Sequence, residues 1–201
     1  LTLREHVGQA LAEGSLPRAR MQVLSILLKL RQVCCHPKLF LPDYEGSSGK
    51  LELLVQIVHN AIAAKRRMLI FSQFVGMLQM IRKRLGREGI QTLYLDGETR
   101  PDKRQELCDR FNGGEGRVFL ISLKAGGTGL NLTGADLVIH YDPWWNPAAE
   151  DQATDRAHRI GQTHDVDVVK LIAQGTIEEK VTDLSKRKRA VFDRVVMAGE
   201  T

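Results

Sequence analysis

The sequence predicts an α/β fold in which a parallel sheet is covered by helices on both faces. Along most of the chain, short apolar segments alternate with longer amphipathic segments, as expected for strands joined by helical crossovers. Segments such as Met68–Phe71 and Val118–Ser122 are apolar almost throughout, which is typical of strands buried on both faces.

Each expected element has a local signal in the sequence. Apolar residues at Val23, Leu24, Leu27 and Leu28 follow a helical spacing, and Pro101 suits the first turn of a helix. Helices are expected over Thr2–Glu13, Arg18–Cys34, from the cap residue Ser48 to Ala64, and over Phe74–Gly86, Pro101–Phe111, Ala148–Arg159 and Glu178–Val196. Strands are expected over Met68–Phe71, Gln91–Leu95, Val118–Ser122, Leu137–His140 and Val166–Ala173.

A loop rich in Pro, Gly and Ser, from Pro37 to Gly49, is the candidate domain boundary. Parallel sheets bind ligands beyond the carboxyl ends of their strands. The loops that contain Ser72, Gly97, Gly126 and Trp145 are expected at that edge.

Composition indicates an intracellular protein. The 201 residues suffice for one sizeable core, and the net charge of +5 permits a polyanionic partner. No apolar run approaches the ~20 residues of a membrane span, and no signal peptide is evident. The odd set Cys34, Cys35 and Cys108 is no disulfide framework and suits a reducing compartment. Adjacent cysteines give poor ligand spacing, so no metal site is expected.

The segment from Gln152 to Gln162, QATDRAHRIGQ, places Arg156 and Arg159 three residues apart. On a helix this spacing puts both side chains on one face. The guanidinium group is a planar fork of donors that suits carboxylates and phosphates. One interpretation is an arginine-finger element that contacts the outer phosphate of a nucleotide. The alternative is an amphipathic surface helix with two solvated arginines.

Three glycines, Gly126, Gly127 and Gly129, follow the expected strand Val118–Ser122. Glycine permits close backbone approach, and such loops bind phosphates or nucleic-acid backbones through N–H groups. The spacing does not fit a dinucleotide fingerprint, because Leu132 stands where its last glycine would fall.

The order of these motifs resembles that of the Swi/Snf-type helicase-like ATPases, a branch of the superfamily-two helicases. The glycine loop, the following strand, the DPWWNP segment and QATDRAHRIGQ are similar to motifs V and VI of that family. Further similar stretches are LRQVCCHP (residues 30–37), SGKL (48–51), MLIFSQF (68–74), LDGET (95–99) and GTIEEKV (175–181).

The resemblance implies the second of two RecA-like motor lobes, separated from a first lobe that carries the phosphate loop. The sequence contains no G-x-x-x-x-G-K-[ST] motif, and it begins with Leu1 rather than Met. Residues 1–45 are then a helical segment that links from the first lobe, 46–175 the second lobe, and 176–201 a C-terminal brace helix. ATP with Mg²⁺ would be held mainly by the first lobe, so this lobe alone is expected to be inactive.

The resemblance also implies roles for individual residues. Arg159 and Arg156 match the motif VI arginines that contact the γ-phosphate, with Arg159 the preferred finger. Gly129, Asn131 and Gln152 are expected near the nucleotide. The candidate contacts to the DNA backbone are Ser72, Gly97, Thr99, Lys124, Gly127 and Thr128.

Each of these DNA candidates has an alternative role as a cap or turn residue. Thr99, for example, could cap the helix that starts near Pro101. Trp145 matches a family tryptophan expected at the DNA groove, whereas Trp144 is expected to pack.

The function implied is that of a DNA-stimulated ATPase that translocates on double-stranded DNA and remodels protein–DNA complexes. Two alternatives are a lobe of an RNA or DNA unwinding helicase and a non-enzymatic nucleic-acid-binding module. The sequence does not identify the protein substrate on DNA. The compartment would be the cytoplasm or nucleoid of a prokaryote, or the nucleus of a eukaryote.

Overall fold

A central sheet organises the part of the chain that the computed structural model describes, residues 16–126, 129–157 and 165–198. Its strands are β1 (Met68–Ser72), β2 (Thr92–Leu95), β3 (Val118–Ser122), β4 (Leu137–His140) and β5 (Asp167–Lys170). The helices are α1 (Leu16–Cys35), α2 (Gly49–Ala63), α3 (Val75–Arg87), α4 (Pro101–Asn112), α5 (Leu123–Gly126), α6 (Pro147–Thr154) and α7 (Ile177–Ala198). A short 3₁₀ helix, Pro37–Leu39, lies between α1 and α2.

All strand pairs in the sheet are parallel, and the strand order is β2-β3-β1-β4-β5. Strand β1 is central, with Ser72 beside Ser122 of β3 and Phe71 beside His140 of β4. Parallel neighbours need crossover connections, which α3 and α4 provide on the β1–β2–β3 side.

Both faces of the sheet are buried, because alternate residues of each strand point to opposite sides. Met68 and Ile70 belong to one core cluster, which α2 and α3 cover. Leu69 and Phe71 belong to the other, which α4 and α6 cover. The prediction of a parallel sheet with helices on both faces is confirmed.

Helices α1 and α7 pack against each other beside the sheet. Cys35, at the end of α1, is fully buried in the core cluster that α2 and α3 cover. Val181 anchors α7 and is likewise fully buried. The two terminal helices therefore lie against each other, each with a residue buried in the interior.

Most of the element boundaries predicted from local sequence signals lie within two residues of the observed boundaries. Ser48 caps α2 as expected, since its side chain accepts from the Leu51 N–H. Strand β5 is shorter than the predicted Val166–Ala173 and forms the edge of the sheet. The helix predicted over Thr2–Glu13 lies outside the described residues.

The prediction of a helix over Ala148–Arg159 is wrong at its C-terminal end. Helix α6 ends at Thr154, and Asp155 is its C-cap. Past that point the backbone forms turns, in which the Arg156 N–H donates to the Ala153 carbonyl at 3.3 Å and the Ala157 N–H to the Thr154 carbonyl at 3.0 Å. The carbonyl of Arg156 also accepts a tertiary hydrogen bond from the Leu132 N–H at 2.9 Å. Among the described residues, none of the helices is both long and apolar enough to cross a membrane.

Candidate nucleotide and nucleic-acid interface

The predicted site residues follow strands that end at one edge of the sheet. Leu95 lies beside Ile121, and Ser72 lies beside Ser122, so β1, β2 and β3 end at the same level. Strand β4 ends at His140, beside Phe71. The loops after these strands therefore emerge together at the carboxyl edge, as predicted.

A buried carboxylate organises the middle of this edge. Asp142 follows β4 and accepts hydrogen bonds from the Ser72 hydroxyl (2.5 Å) and the Gln73 side-chain amide (2.5 Å). Burial raises the pKa of Asp142 to about 6, although the Ser72 and Gln73 hydrogen bonds and the charge of Arg31 oppose that rise. The arrangement fixes the β1 and β4 loops relative to each other.

Ser72 is committed to this network. It is buried, and its oxygen also accepts from the Phe74 N–H at 3.1 Å. Ser72 therefore builds the start of the β1–α3 loop in addition to its predicted role as a DNA-backbone contact.

The Asp96–Thr99 turn is held by its own side chains. The Thr99 hydroxyl accepts from the Asp96 N–H at 3.0 Å, and the Asp96 carboxylate accepts from the Glu98 N–H at 3.0 Å. Burial alone would raise the pKa of Asp96, but hydrogen bonds from Tyr94, Glu98 and Thr99 together lower it. The alternative in which Thr99 caps α4 is wrong, because Arg100 is the N-cap residue.

Gly97 lies exposed at the tip of that turn. Its carbonyl accepts from the Arg104 guanidinium at 3.0 Å. An ideal Cβ built at Gly97 would meet nothing within 4 Å, so the backbone has open space in front of it.

The glycine loop begins with α5, directly after β3. Gly126 is buried against Phe71, and an ideal Cβ there would lie 2.8 Å from the Phe71 ring. Lys124 is exposed on the same short helix. Gly127 and Thr128 lie outside the described residues.

Beyond this gap the loop contains further nucleotide candidates. Gly129 is exposed and has a φ of 56°, a conformation that favours glycine. Asn131 is exposed, and its carbonyl accepts from the Asn112 side chain at 2.9 Å. Gln152 is exposed on α6.

Arg156 lies two residues past the end of α6 and is buried. Its Nε donates to the carbonyl of Gln152 at 3.0 Å, while its own carbonyl holds Leu132. Arg156 thus connects the end of α6 to Leu132, in the segment between the glycine loop and β4. Arg159, the preferred finger, lies outside the described residues.

The two tryptophans lie together in the loop between β4 and α6, both partly buried. Trp144 packs against the core cluster that α4 and α6 cover, and its backbone N–H donates to the Glu150 carboxylate at 2.8 Å. The prediction that Trp144 packs is confirmed. Trp145 lies against the guanidinium of Arg31, 5.3 Å from its ring centroid.

Sequence reasoning missed two elements of this edge, Asp142 and Arg31. Asp142 closely follows a predicted strand and has no recognisable base or nucleophile pattern beside it in the sequence. Arg31 lies within LRQVCCHP, 112 positions before the Pro143 carbonyl that it contacts. Only the three-dimensional structure brings these side chains together.

The fold and the edge together define a RecA-like α/β lobe. Residues 49–161 match the helicase conserved C-terminal domain. The chain therefore belongs to this helicase family, and its structural neighbours place it with the C-terminal domains of SWI2/SNF2 ATPases.

Two solved structures illustrate the similarity. The Sulfolobus solfataricus SWI2/SNF2 ATPase C-terminal domain is 33% identical, with a TM-score of 0.77, over 95% of this chain and 79% of that one. The Sulfolobus solfataricus SWI2/SNF2 ATPase core in complex with dsDNA is 35% identical, with a TM-score of 0.79, over 97% of this chain and 42% of that one.

Curated relatives include bacterial and eukaryotic proteins. A putative ATP-dependent helicase/translocase of Bacillus subtilis, YwqA, is 42% identical over 88% of this chain and 20% of its own length. Helicase swr1 of Aspergillus fumigatus is 43% identical over 76% of this chain and 9% of its own length. The chain thus spans a fifth or less of the length of these relatives.

Proposed function

We propose that this chain is the second motor lobe of a DNA-stimulated ATPase that translocates on double-stranded DNA and remodels protein–DNA complexes. The observation that carries the proposal is its similarity, over 97% of its length, to a SWI2/SNF2 ATPase core whose structure contains double-stranded DNA. The edge described above supports it, because nucleotide and DNA candidates lie in neighbouring loops.

On the nucleotide side, Arg159 is the proposed finger and Arg156 its partner at the γ-phosphate. The fixed fork of a guanidinium suits phosphate oxygens. Bonds to Gln152 and Leu132 give Arg156 a defined position at the end of α6. Gly129, Asn131 and Gln152 are exposed and are proposed to contact the rest of the nucleotide. ATP and Mg²⁺ are proposed to bind mainly to the first lobe.

On the DNA side, exposed backbone and cationic groups suit contacts that read no sequence. Gly97 and Lys124 are both exposed. Thr99 and Ser72 are proposed mainly to shape these loops through their hydroxyl hydrogen bonds. Gly127 and Thr128 complete the proposed DNA-backbone contacts, and Trp145 is proposed to lie at the groove.

The proposed division of the chain is a linking helical segment (1–45), the RecA-like lobe (46–175) and a brace helix (176–201). The proposed partners are double-stranded DNA and a first RecA-like lobe in the same protein. The proposed location is intracellular, with access to the genome.

The proposal is tested by Arg159→Ala in the full-length protein that contains this chain. Arginine fingers contribute roughly 10³- to 10⁵-fold to turnover, so the rate of DNA-stimulated ATP hydrolysis is expected to decrease by a factor in that range. DNA binding is expected to be retained. Arg159→Lys is expected not to restore turnover, because a point charge lacks the fork. Arg87→Ala is the matched control, since Arg87 is exposed in the last turn of α3, far from the carboxyl edge.

Retention of ATP hydrolysis within about twofold of the parent by Arg159→Ala would show that the finger assignment is wrong. The 201-residue chain alone is proposed to be inactive. DNA-stimulated hydrolysis by that chain, above an Arg156→Ala/Arg159→Ala control, would contradict this part of the proposal.

The same protein also distinguishes the alternatives. Displacement of a third strand from a triplex, without separation of a duplex, is the expected result for a translocase. Efficient duplex separation would favour an unwinding helicase. Absence of DNA-stimulated hydrolysis in the full-length protein would favour a non-enzymatic nucleic-acid-binding module.

A further inference from the structure

A buried arginine of α1 is enclosed by three aromatic rings. Arg31 is 3% exposed. Its guanidinium carbon lies 5.9 Å from the ring centroid of Phe74, 5.7 Å from that of Trp144 and 5.3 Å from that of Trp145. All three separations lie within the range of cation–π attraction, which strengthens when the cation is desolvated. These four side chains are called the Arg31 cage below.

The polar contacts of Arg31 are with the loop between β4 and α6, which also contains both tryptophans. Its Nη2 donates to the carbonyl of Pro143 at 2.5 Å, and the same nitrogen lies 4.0 Å from Asp142 Oδ2. The Nε group has no hydrogen-bond partner among the described residues. Arg31 is therefore held largely by the Pro143 carbonyl and the three rings, and all of these contacts except that with Phe74 depend on the conformation of residues 143–145.

Asp142 ties the cage to the start of the β1 loop. Its carboxylate holds the Ser72 hydroxyl and the Gln73 amide, and Phe74 of the cage follows directly in the chain. The cage thus connects three elements: α1, the loop after β1 and the loop after β4. A displacement of α1 must either carry the tryptophan loop with it or break the cage.

We propose that Arg31 is a positioning residue that holds Trp145 at the carboxyl edge and couples movement of α1 to the tryptophan loop. The DNA part of this proposal rests on the proposed function, in which segment 1–45 links to the first lobe and Trp145 meets DNA. Arg31 itself is buried and acts on DNA only through Trp145.

Tryptophan fluorescence tests the proposal directly, because both tryptophans of the chain lie in the cage. Trp144→Phe leaves Trp145 as the sole emitter. In this background, Arg31→Lys and Arg31→Met are expected to shift emission to longer wavelength. They should also raise the acrylamide quenching constant of Trp145 by about twofold or more, because the ring loses its contact with the guanidinium and becomes more accessible to solvent. Lysine keeps the charge, but its compact ammonium lacks the planar guanidinium group that contacts the carbonyl and the rings at the same time.

Arg82→Lys is the matched control. The Arg82 guanidinium lies 5.3 Å from the ring centroid of Tyr94, remote from the tryptophans, so its replacement should leave the emission unchanged. Circular dichroism and a cooperative thermal transition establish that each variant is folded. If both Arg31 variants fail to fold, Phe74→Leu in the same background decides, since it opens the cage while Arg31 remains. Trp145 emission and quenching that stay unchanged in the folded variants would overturn the proposal.

A second measurement, in the full-length protein, addresses coupling. Arg31→Lys is expected to keep DNA-stimulated ATP hydrolysis within about threefold of the parent but to reduce triplex displacement by about tenfold or more. An equal loss of both activities would contradict coupling through Trp145. The fluorescence result requires neither ATP nor DNA. A parent protein that fails to translocate would therefore refute the proposed function and leave the positioning role of Arg31 intact.

Discussion

Lys50 and Glu178 form a buried ion pair across 128 positions of the chain. Their side chains are 6% and 1% exposed. The Lys50 ammonium also lies 5.5 Å from the ring centroid of Tyr141, and the Glu178 carboxylate accepts from the Ala173 N–H at 2.7 Å. The pair therefore joins the start of α2 to the start of α7 and explains why SGKL and GTIEEKV carry charged residues at these positions.

Glu178→Ala is expected to destabilise the chain by about 3–5 kcal/mol, because it leaves the Lys50 ammonium buried without its partner. The measurement is the free energy of unfolding in urea. Lys50→Met combined with Glu178→Leu is expected to recover much of the loss, since paired apolar residues avoid the desolvation of two charges.

Arg100→Ala is the control for this comparison. Arg100 pairs with Asp102 on the surface, with side chains 82% and 67% exposed. The expected change is below about 1 kcal/mol, as for other exposed pairs. If Glu178→Ala costs no more than this control, the buried pair does not stabilise the attachment of α7.

His140 is expected to make the chain less stable in acid. Burial lowers the pKa of His140 from 6.5 to about 4, with Lys170 acting in the same direction and Glu150 and Asp151 opposing. The unfolded chain then binds the proton more readily than the folded chain between these values. The contribution of neutral His140 to the free energy of unfolding is fully present above pH 6.5. It is lost as the pH falls towards 4, by up to about 3 kcal/mol.

The variant His140→Gln isolates this contribution. Asp142 acts in the opposite sense, because its pKa is raised from 3.8 to about 6 and its stabilising effect declines as the pH rises through that window. The pH dependence of the parent's free energy of unfolding therefore combines both groups and does not isolate His140. The free energy of unfolding of the parent minus that of His140→Gln, measured in urea from pH 7 to pH 4, should decrease as the pH falls. Parallel profiles would show that His140 does not titrate in this way.

The elements of the sheet could be predicted because their signals are local. Continuous apolar runs such as Val118–Ser122 mark strands buried on both faces, and the structure has that strand with the same bounds. Ser48 likewise caps α2 through a contact three residues away. That the loops with the candidate residues lie at one edge follows from the parallel arrangement of the strands.

The side chains that tie the edge together could not be predicted, because their partners are distant in sequence. Arg31 reaches Pro143 across 112 positions, and Lys50 reaches Glu178 across 128. The hydrogen bond from the Leu132 N–H to the Arg156 carbonyl, just past the end of α6, is another long-range contact that helical periodicity does not predict.

Gly126→Ala tests how tightly the start of the glycine loop packs on the core. A Cβ at Gly126 would lie 2.8 Å from the Phe71 ring, which is buried and unable to move freely. The expected destabilisation is about 1–3 kcal/mol, as for other overpacked cores, measured by thermal or urea unfolding. Gly97→Ala is the control, because open space surrounds that position. Equal stability of the two variants would indicate that the loop after β3 yields to the added methyl group.

The two tryptophans are expected to have different roles although they are neighbours. Trp144 packs its side chain on the core, so Trp144→Ala should lower stability by about 1–3 kcal/mol. Trp145→Ala removes a ring of the Arg31 cage but no part of the proposed nucleotide site. In the full-length protein it should retain much of the ATP hydrolysis and lose translocation.

Thermal unfolding of the chain and triplex displacement by the full-length protein distinguish these outcomes. DNA binding by the parent should weaken steeply with salt and show little sequence preference, because the proposed contacts are to phosphates. Trp145→Ala should keep that salt dependence, since the ring carries no charge. Normal translocation by Trp145→Ala would remove Trp145 from the DNA interface. If Trp144→Ala then lost translocation at unchanged stability, Trp144 would take over the role proposed for Trp145.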